Sequence, residues 1–277
     1  MTRTDGDSWD IATSVGATAV MVALARAAET NSVNPLIRDE FAEPLVSTPE
    51  LVGVRTQAAA ATVGGQQMVD YQAVRTHFFD AFFAATAAAG IRQHVILAAG
   101  LDSRAYRLDW RDDSVVYELD VPKVLQYKAE TLNALGAAPA TTRREVAVDL
   151  RDDWPAALRD AGFDAAQPTA WLAEGLLPFL PGSAQESMFA AIDGLSAKHS
   201  RVAVEVLGLD DERRRDVEER WREVRAEREK RGEDVSFDPF ALWYDNEGRP
   251  DCAEWFGAHG WVARTVDSRD QGSLGEE

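Results

Sequence analysis

Four β-like runs along this chain end in a residue able to do chemistry. Gly100 follows His94–Ala99, Asp120 follows Val115–Leu119, Asp149 follows Glu145–Val148 and Glu174 follows Thr169–Ala173. A glycine lacks a Cβ, so the backbone there can approach a ligand closely and take positive φ. Asp120 lies 20 residues further on, the spacing at which a carboxylate in a nucleotide-binding unit accepts ribose hydroxyls. Asp149 and Leu150 suit a flat base, the acid taking an exocyclic amine and the leucine packing on the ring. Any one such acid reads equally well as a solvated strand end or helix cap, and Asp149 precedes a turn at Arg151–Pro155. The set of four points instead to a nucleoside site.

The turn Ala98-Ala99-Gly100-Leu101-Asp102-Ser103-Arg104 narrows the ligand. A dinucleotide site uses Gly-x-Gly-x-x-Gly to bring the backbone onto a pyrophosphate, and this turn has one glycine. Asp102 would repel phosphate, whereas a sulfonium-bearing amino acid tolerates it and its amino group can use it. An NAD(P)-binding oxidoreductase is therefore disfavoured. An α/β-hydrolase is disfavoured too, because no Gly-x-Ser-x-Gly occurs. The four histidines, His77, His94, His199 and His259, show no metal-ligand spacing, so no metal site is expected. Cys252, the one cysteine, can form neither an internal disulfide nor a thiol cluster, and a reducing cytoplasm is the expected compartment. A net charge of −18 argues against nucleic acid as a partner. No apolar run approaches the ~18 residues of a membrane span. Met1–Asp10 lacks the apolar stretch of a signal peptide.

The elements that must position these residues alternate. The runs His94–Ala99, Val115–Asp120, Glu145–Asp149, Thr169–Glu174 and Arg201–Leu207 read as strands, the first as one buried on both faces. Helical stretches at Pro122–Leu135, Trp154–Ala161 and Ser183–Ala197 separate them. That rhythm predicts a Rossmann-like α/β fold with a mostly parallel, doubly wound sheet, which binds ligands outside the carboxyl ends of its strands. Upstream, the first sixty residues look helical, broken at Asn34-Pro35 and Glu43-Pro44, and Ala58–Gly65 reads as a loop. Met68–Ala89 reads as a long helix with Tyr71, Val74, Phe78, Phe82 and Ala85 as its apolar face, ended by Gly90. Downstream, Asp210–Gly232 is a charged helix with a narrow stripe of Val217, Trp221 and Val224. Phe237, Phe240, Trp243 and Tyr244 follow it and can line an apolar pocket. The chain reads as one domain: an N-terminal helical cap over 1–65, a ligand-binding core over 66–207, a lid-like insertion over 208–258, then a last strand and disordered tail over 259–277.

The segment Val95–Leu108 resembles the first motif of the leucine carboxyl methyltransferase-like family, most closely its mycobacterial branch of S-adenosylmethionine-dependent methyltransferases. Glu118-Leu119-Asp120, with Pro122 and Val124-Leu125, resembles the second motif of that branch. Val148-Asp149-Leu150 resembles the third and Ala173–Leu180 the fourth; Trp9–Ala19 matches as well. The resemblance spans residues 8 to 266 and implies a class I methyltransferase with S-adenosylmethionine as cofactor. It implies that Gly100 lines the cofactor, Asp120 holds the ribose, Asp149 and Leu150 hold the adenine, and Glu174 lies beside the methionyl moiety. Arg75 matches an arginine that grips the cofactor carboxylate, a task suited to a planar guanidinium fork, and Arg104 is a second candidate. An exposed helix arginine is the plainer reading of Arg75. Eukaryotic members also place an N-terminal lysine on the cofactor. The first lysine here is Lys123, a departure that puts their protein-phosphatase substrate in doubt for this chain.

The expected reaction is methyl transfer to a carboxylate or hydroxyl of a small molecule or peptide, driven mostly by alignment. A carboxylate acceptor needs no general base; a hydroxyl does. A non-catalytic cofactor-binding protein of the same fold is the alternative. Methyltransferases of this fold usually end in a hairpin whose seventh strand inserts between the fifth and sixth. Trp261–Val266 reads as the sixth, but Asp267–Glu277 has only Leu274 as a large apolar residue, so the seventh is expected to be missing. Then either Trp261–Val266 pairs with the fifth strand, or an open edge invites self-association.

Overall fold

The computed structural model describes residues 15–61, 65–207, 211–232, 238, 240–244 and 248–268. Four helices come first: α1 (Val15–Thr30), α2 (Ala42–Val46), α3 (Val52–Ala61) and α4 (Gln66–Ala88). Strands and helices then alternate through β1 (Gln93–Leu97), α5 (Arg104–Arg107), β2 (Val115–Asp120), α6 (Pro122–Ala134) and β3 (Thr142–Ala147). They continue through α7 (Trp154–Asp160), β4 (Thr169–Ala173), α8 (Gly182–Gly194) and β5 (Arg201–Val204), followed by α9 (Asp211–Lys230) and α10 (Cys252–Ala258).

The sheet is parallel throughout its described pairs, in the order β3-β2-β1-β4-β5. This is the Rossmann-like arrangement in which the chain reverses direction between β1 and β4, opening a crevice at their carboxyl ends. Side chains alternate across the sheet. Ile96, Val116 and Leu172 pack under the N-terminal helices with Phe79 and Phe83. Val95, Leu97, Leu119 and Trp171 point the other way, into a core shared with Phe189, Trp255 and Phe256.

Several expectations needed correction. Ala58–Ala61 continue α3 instead of looping, and Pro44 lies inside the first turn of α2 instead of breaking it, because a proline there forfeits no helical hydrogen bond. The buried face of α4 is Gln72, Ala73, Thr76, Phe79, Phe83, Thr86 and Ala87, one position round from the predicted stripe. Tyr71, Val74, Phe78 and Phe82 are half-buried and Ala85 is exposed. Polar residues disguised that face; Thr86, for one, satisfies its hydroxyl on the Phe83 carbonyl of its own helix at 2.9 Å. β3 begins at Thr142 and stops at Ala147, and β5 stops at Val204.

The predicted sixth strand does not form. Trp261–Val266 is irregular and pairs with no strand among the described residues. The Trp261 indole instead donates to Asp193 of α8 at 2.7 Å and its backbone N–H to the Phe256 carbonyl, while Val262 stands fully exposed. The sheet thus has β5 at its edge among the described residues. The tail from 269 lies outside them, as do residues 9–14 of the N-terminal motif, Asp210 and Phe237. No described helix is long and apolar enough to cross a membrane.

Candidate active site

The carboxyl ends of the strands open onto a cavity of about 810 Å³. Gly100, Asp102, Asp120, Asp149, Leu150 and Glu174 all line it, and Arg75 enters from α4. Seven of the eight residues expected at a cofactor therefore face a single space. Arg104 is the exception among the lining: it is 2% exposed and lies behind the wall.

The first turn after β1 is shaped by backbone conformation. Gly100 has φ 49° and Ala98, unusually for a residue with a Cβ, has φ 52°; such conformations cluster at ligand sites. A Cβ on Gly100 would meet the Ala19 Cβ at 3.4 Å, an ordinary contact, so it is the positive φ that calls for glycine here. Its N–H donates to Asp120 Oδ2 at 2.7 Å, and the Val121 N–H donates to Asp120 Oδ1 at 2.7 Å. Burial raises the pKa of Asp120 and these two N–H groups oppose the rise. They also fix the carboxylate's orientation and leave acceptor capacity on each oxygen. A carboxylate held this way at the crevice can take two neighbouring hydroxyls.

Arg75 is not the exposed helix arginine. Its side chain is 11% exposed, its Nε donates to Glu174 Oε1 at 2.7 Å, and its Nη1 lies 3.2 Å from both oxygens of Glu205. Burial works against its charge, but Glu205 and Glu174 outweigh that and raise its pKa. Its Nη2 carries none of these bonds and remains available to a ligand carboxylate. Arg104 ties the wall together: Nε donates to Asp80 at 2.7 Å, and Nη1 to Glu174 at 2.7 Å and to Asp102. Burial would raise the pKa of Asp102, but Arg104 and Lys128 outweigh it and the carboxyl stays below its usual range. Asp149 is held by Arg151, whose Nη2 lies 2.6 Å from Oδ2, so a base amine would share that carboxylate with a guanidinium.

Glu205 was read only as part of the fifth strand, with no role at the site. It lies just past β5, is 8% exposed and lines the cavity. It accepts from the Tyr71 hydroxyl at 2.5 Å and from the Gly175 N–H at 2.6 Å. An acid within the apolar run Val202–Leu207 was the available signal. Tyr71, read only as part of an apolar face, lines the cavity with Met68 one turn before it. Phe240, Trp243 and Tyr244 line it as well. The Tyr244 N–H anchors that segment to the Pro178 carbonyl at 2.8 Å, and Trp221 of α9 packs on Phe240 with ring centroids 5.9 Å apart.

Residues 19–193 match the family model described as Leucine carboxyl methyltransferase. A protein of Mycobacterium ulcerans, described as a candidate S-adenosyl-L-methionine-dependent methyltransferase, is 64% identical over 96% of this chain and 90% of its own length. A Mycobacterium marinum protein with the same description is 64% identical over 97% of this chain and 91% of its own. One from Mycobacterium tuberculosis is 52% identical over 97% and 87%. A match over more than half the chain, with relatives this similar along nearly all of it, settles descent: the chain belongs to the leucine carboxyl methyltransferase family.

Proposed function

We propose that this chain transfers the methyl group of S-adenosylmethionine to an oxygen of a carboxylate or hydroxyl acceptor. The observation that carries the reading is the Gly100–Asp120 pair, a close-approach backbone turn beside a carboxylate already oriented by two N–H groups. Asp120 takes the ribose and Asp149 with Leu150 the adenine. Arg75 Nη2 takes the amino-acid carboxylate, and Asp102 and Glu174 face the amino group and methionyl chain. Arg104 acts from behind, holding Asp102 and Glu174 in place. The cofactor supplies an already activated methyl, so the protein's task is alignment and exclusion of water. Residues 66–207 form the cofactor-binding core in this reading. Those from 208 to 258 cover the acceptor side, as the aromatic wall at Phe240, Trp243 and Tyr244 suggests.

Asp120→Ala is expected to weaken S-adenosylhomocysteine binding at least about tenfold, since charge-assisted hydrogen bonds contribute about 1.5–3 kcal/mol each. Calorimetry on a folded variant measures this, and unchanged affinity would sink the assignment. Arg75→Lys is expected to be harmful as well, because an ammonium cannot replace the fork between two glutamates and a carboxylate. Decarboxylated S-adenosylmethionine provides the check. Wild type should discriminate against it, and Arg75→Ala should not; equal discrimination by both would give Arg75 another role.

A further inference from the structure

We propose that Asp80, which does not itself line the cavity, is a positioning residue for the amino-acid end of the methyl donor. It acts through Arg104 on Asp102 and Glu174. The inference rests on the placement of the cofactor proposed above.

The first observation is that one helix holds Glu174 twice. Glu174 Oε1 accepts from Arg75 Nε of α4 at 2.7 Å, and Oε2 accepts from Arg104 Nη1 at 2.7 Å. Arg104 sits on α5, but its guanidinium is fixed from α4 as well: Nε donates to Asp80 Oδ1 at 2.7 Å. The same Nη1 reaches Asp102, whose other oxygen accepts the Arg104 backbone N–H at 2.7 Å. A guanidinium is planar, so anchoring Nε sets the direction of Nη1. Here that direction lies between two carboxylates of the cavity wall.

The second observation is that Asp80 is itself held in position and in plane. Arg107, one turn further along α5, grips it with two parallel bonds, Nη1 to Oδ2 at 2.6 Å and Nη2 to Oδ1 at 2.7 Å. Such a fork fixes the orientation of a carboxylate as well as its place. The third bond of Arg107, Nε to Ser103 Oγ at 3.1 Å, ties the pair to the turn that carries Asp102. In an Asp80→Asn protein three N–H groups would meet one oxygen and an opposing amide N–H₂. Arg104 Nε would lose its anchor, and Nη1 its fixed aim at Asp102 and Glu174.

The third observation is that the nucleoside seats are held by other means. Asp120 is oriented by the Gly100 and Val121 N–H groups, and Asp149 by Arg151. None of these bonds passes through Asp80 or Arg104. A disturbance that starts at Asp80 therefore reaches the amino-acid end and spares the ribose and adenine.

The test compares S-adenosylhomocysteine with 5′-methylthioadenosine, which keeps the nucleoside and the sulfur but has no amino acid. Calorimetry on the full chain should show wild type preferring S-adenosylhomocysteine at least about tenfold, through charge-assisted bonds that the smaller ligand cannot make. Asp80→Asn should narrow that preference at least about fivefold and leave methylthioadenosine within about twofold of wild type. A residue that only supports the fold would weaken both ligands together, and that result overturns the proposal. So does a full preference surviving in a folded Asp80→Asn protein. Should that variant not fold, Asp80→Glu decides, because it keeps the charge but carries the carboxylate one methylene farther. It too should narrow the preference and spare methylthioadenosine; the complete wild-type preference, or equal loss of both ligands, overturns the proposal. A wild type that binds the two ligands equally is a separate result, and it removes the placement of the amino acid itself.

Discussion

Glu118→Gln is expected to cost about 3–5 kcal/mol of stability, the range seen when one member of a buried ion pair is removed. Glu118 and Lys128 are both fully buried, and Lys128 Nζ lies 2.8 Å from Glu118 Oε2. Arg143 approaches the same oxygen, Nε at 2.7 Å and Nη2 at 2.6 Å. The glutamine would leave two cations facing a neutral amide in the interior. Against a typical total of about 5–15 kcal/mol, such a loss shifts the urea midpoint far down or prevents folding. Lys128→Met added to Glu118→Gln should recover part of the loss, because Arg143 still has Glu145 beside its Nη1 at 2.5 Å. Urea titrations of the single and double variants check this; a Glu118→Gln protein within about 1 kcal/mol of wild type contradicts it. The cluster also reaches the site, since Lys128 Nζ donates to the Asp102 carbonyl at 3.0 Å. Weaker cofactor binding should accompany the lost stability.

His94→Leu is expected to do the opposite, and increasingly so in acid. His94 is fully buried on β1 between Phe83 and Trp110, and neither ring nitrogen has a partner. Burial, helped by Arg92, lowers its pKa to about 3. An unfolded histidine takes a proton as the pH falls through about 6.5, whereas the folded one refuses it until near 3. The unfolded chain therefore binds more protons across that window, and stability falls as pH falls, by about 1.4 kcal/mol per unit. Above the window the histidine adds no slope. At pH 5 the penalty is about 2 kcal/mol. The orphaned nitrogens cost about 1–3 kcal/mol more at any pH, offset by about 1 kcal/mol of ring contacts that leucine would lose. Urea midpoints at pH 7.5 and 5.0 should show His94→Leu ahead at both and further ahead at the lower. An equal gap at the two values would mean that His94 titrates normally in the fold.

The strand ends were legible because a parallel sheet buries both faces, so each strand reads as an apolar run that stops where the crevice begins. Gly100, Asp120 and Glu174 sit at such stops, and the structure brings them to one cavity. Glu205 was hidden because its run continues through Val206 and Leu207, although the strand itself ends at Val204. The register of α4 was hidden by Gln72, Thr76 and Thr86, which face inward and flatten the contrast that a periodicity argument needs. Trp261–Val266 has strand-like residue types, but such types report fit to a half-buried surface and not pairing. Trp261 found that surface on α8 and Phe256. The ion pairs joining α4 to the end of β4 and to α5, Arg75 with Glu174 and Arg104 with Asp80, link residues far apart in sequence, which no local pattern announces.

The lining of the cavity comes from two stretches of chain. Gly100, Asp120 and Asp149 lie within the span that matches the family model, whereas Glu205, Phe240, Trp243 and Tyr244 all follow it. The aromatic segment is anchored to the earlier part by the Tyr244–Pro178 bond and seated on α9 through Trp221. Such a layout lets evolution treat the later stretch as an exchangeable cassette. On the function proposed above, replacing it would change which molecule is modified while the earlier stretch goes on holding the methyl donor.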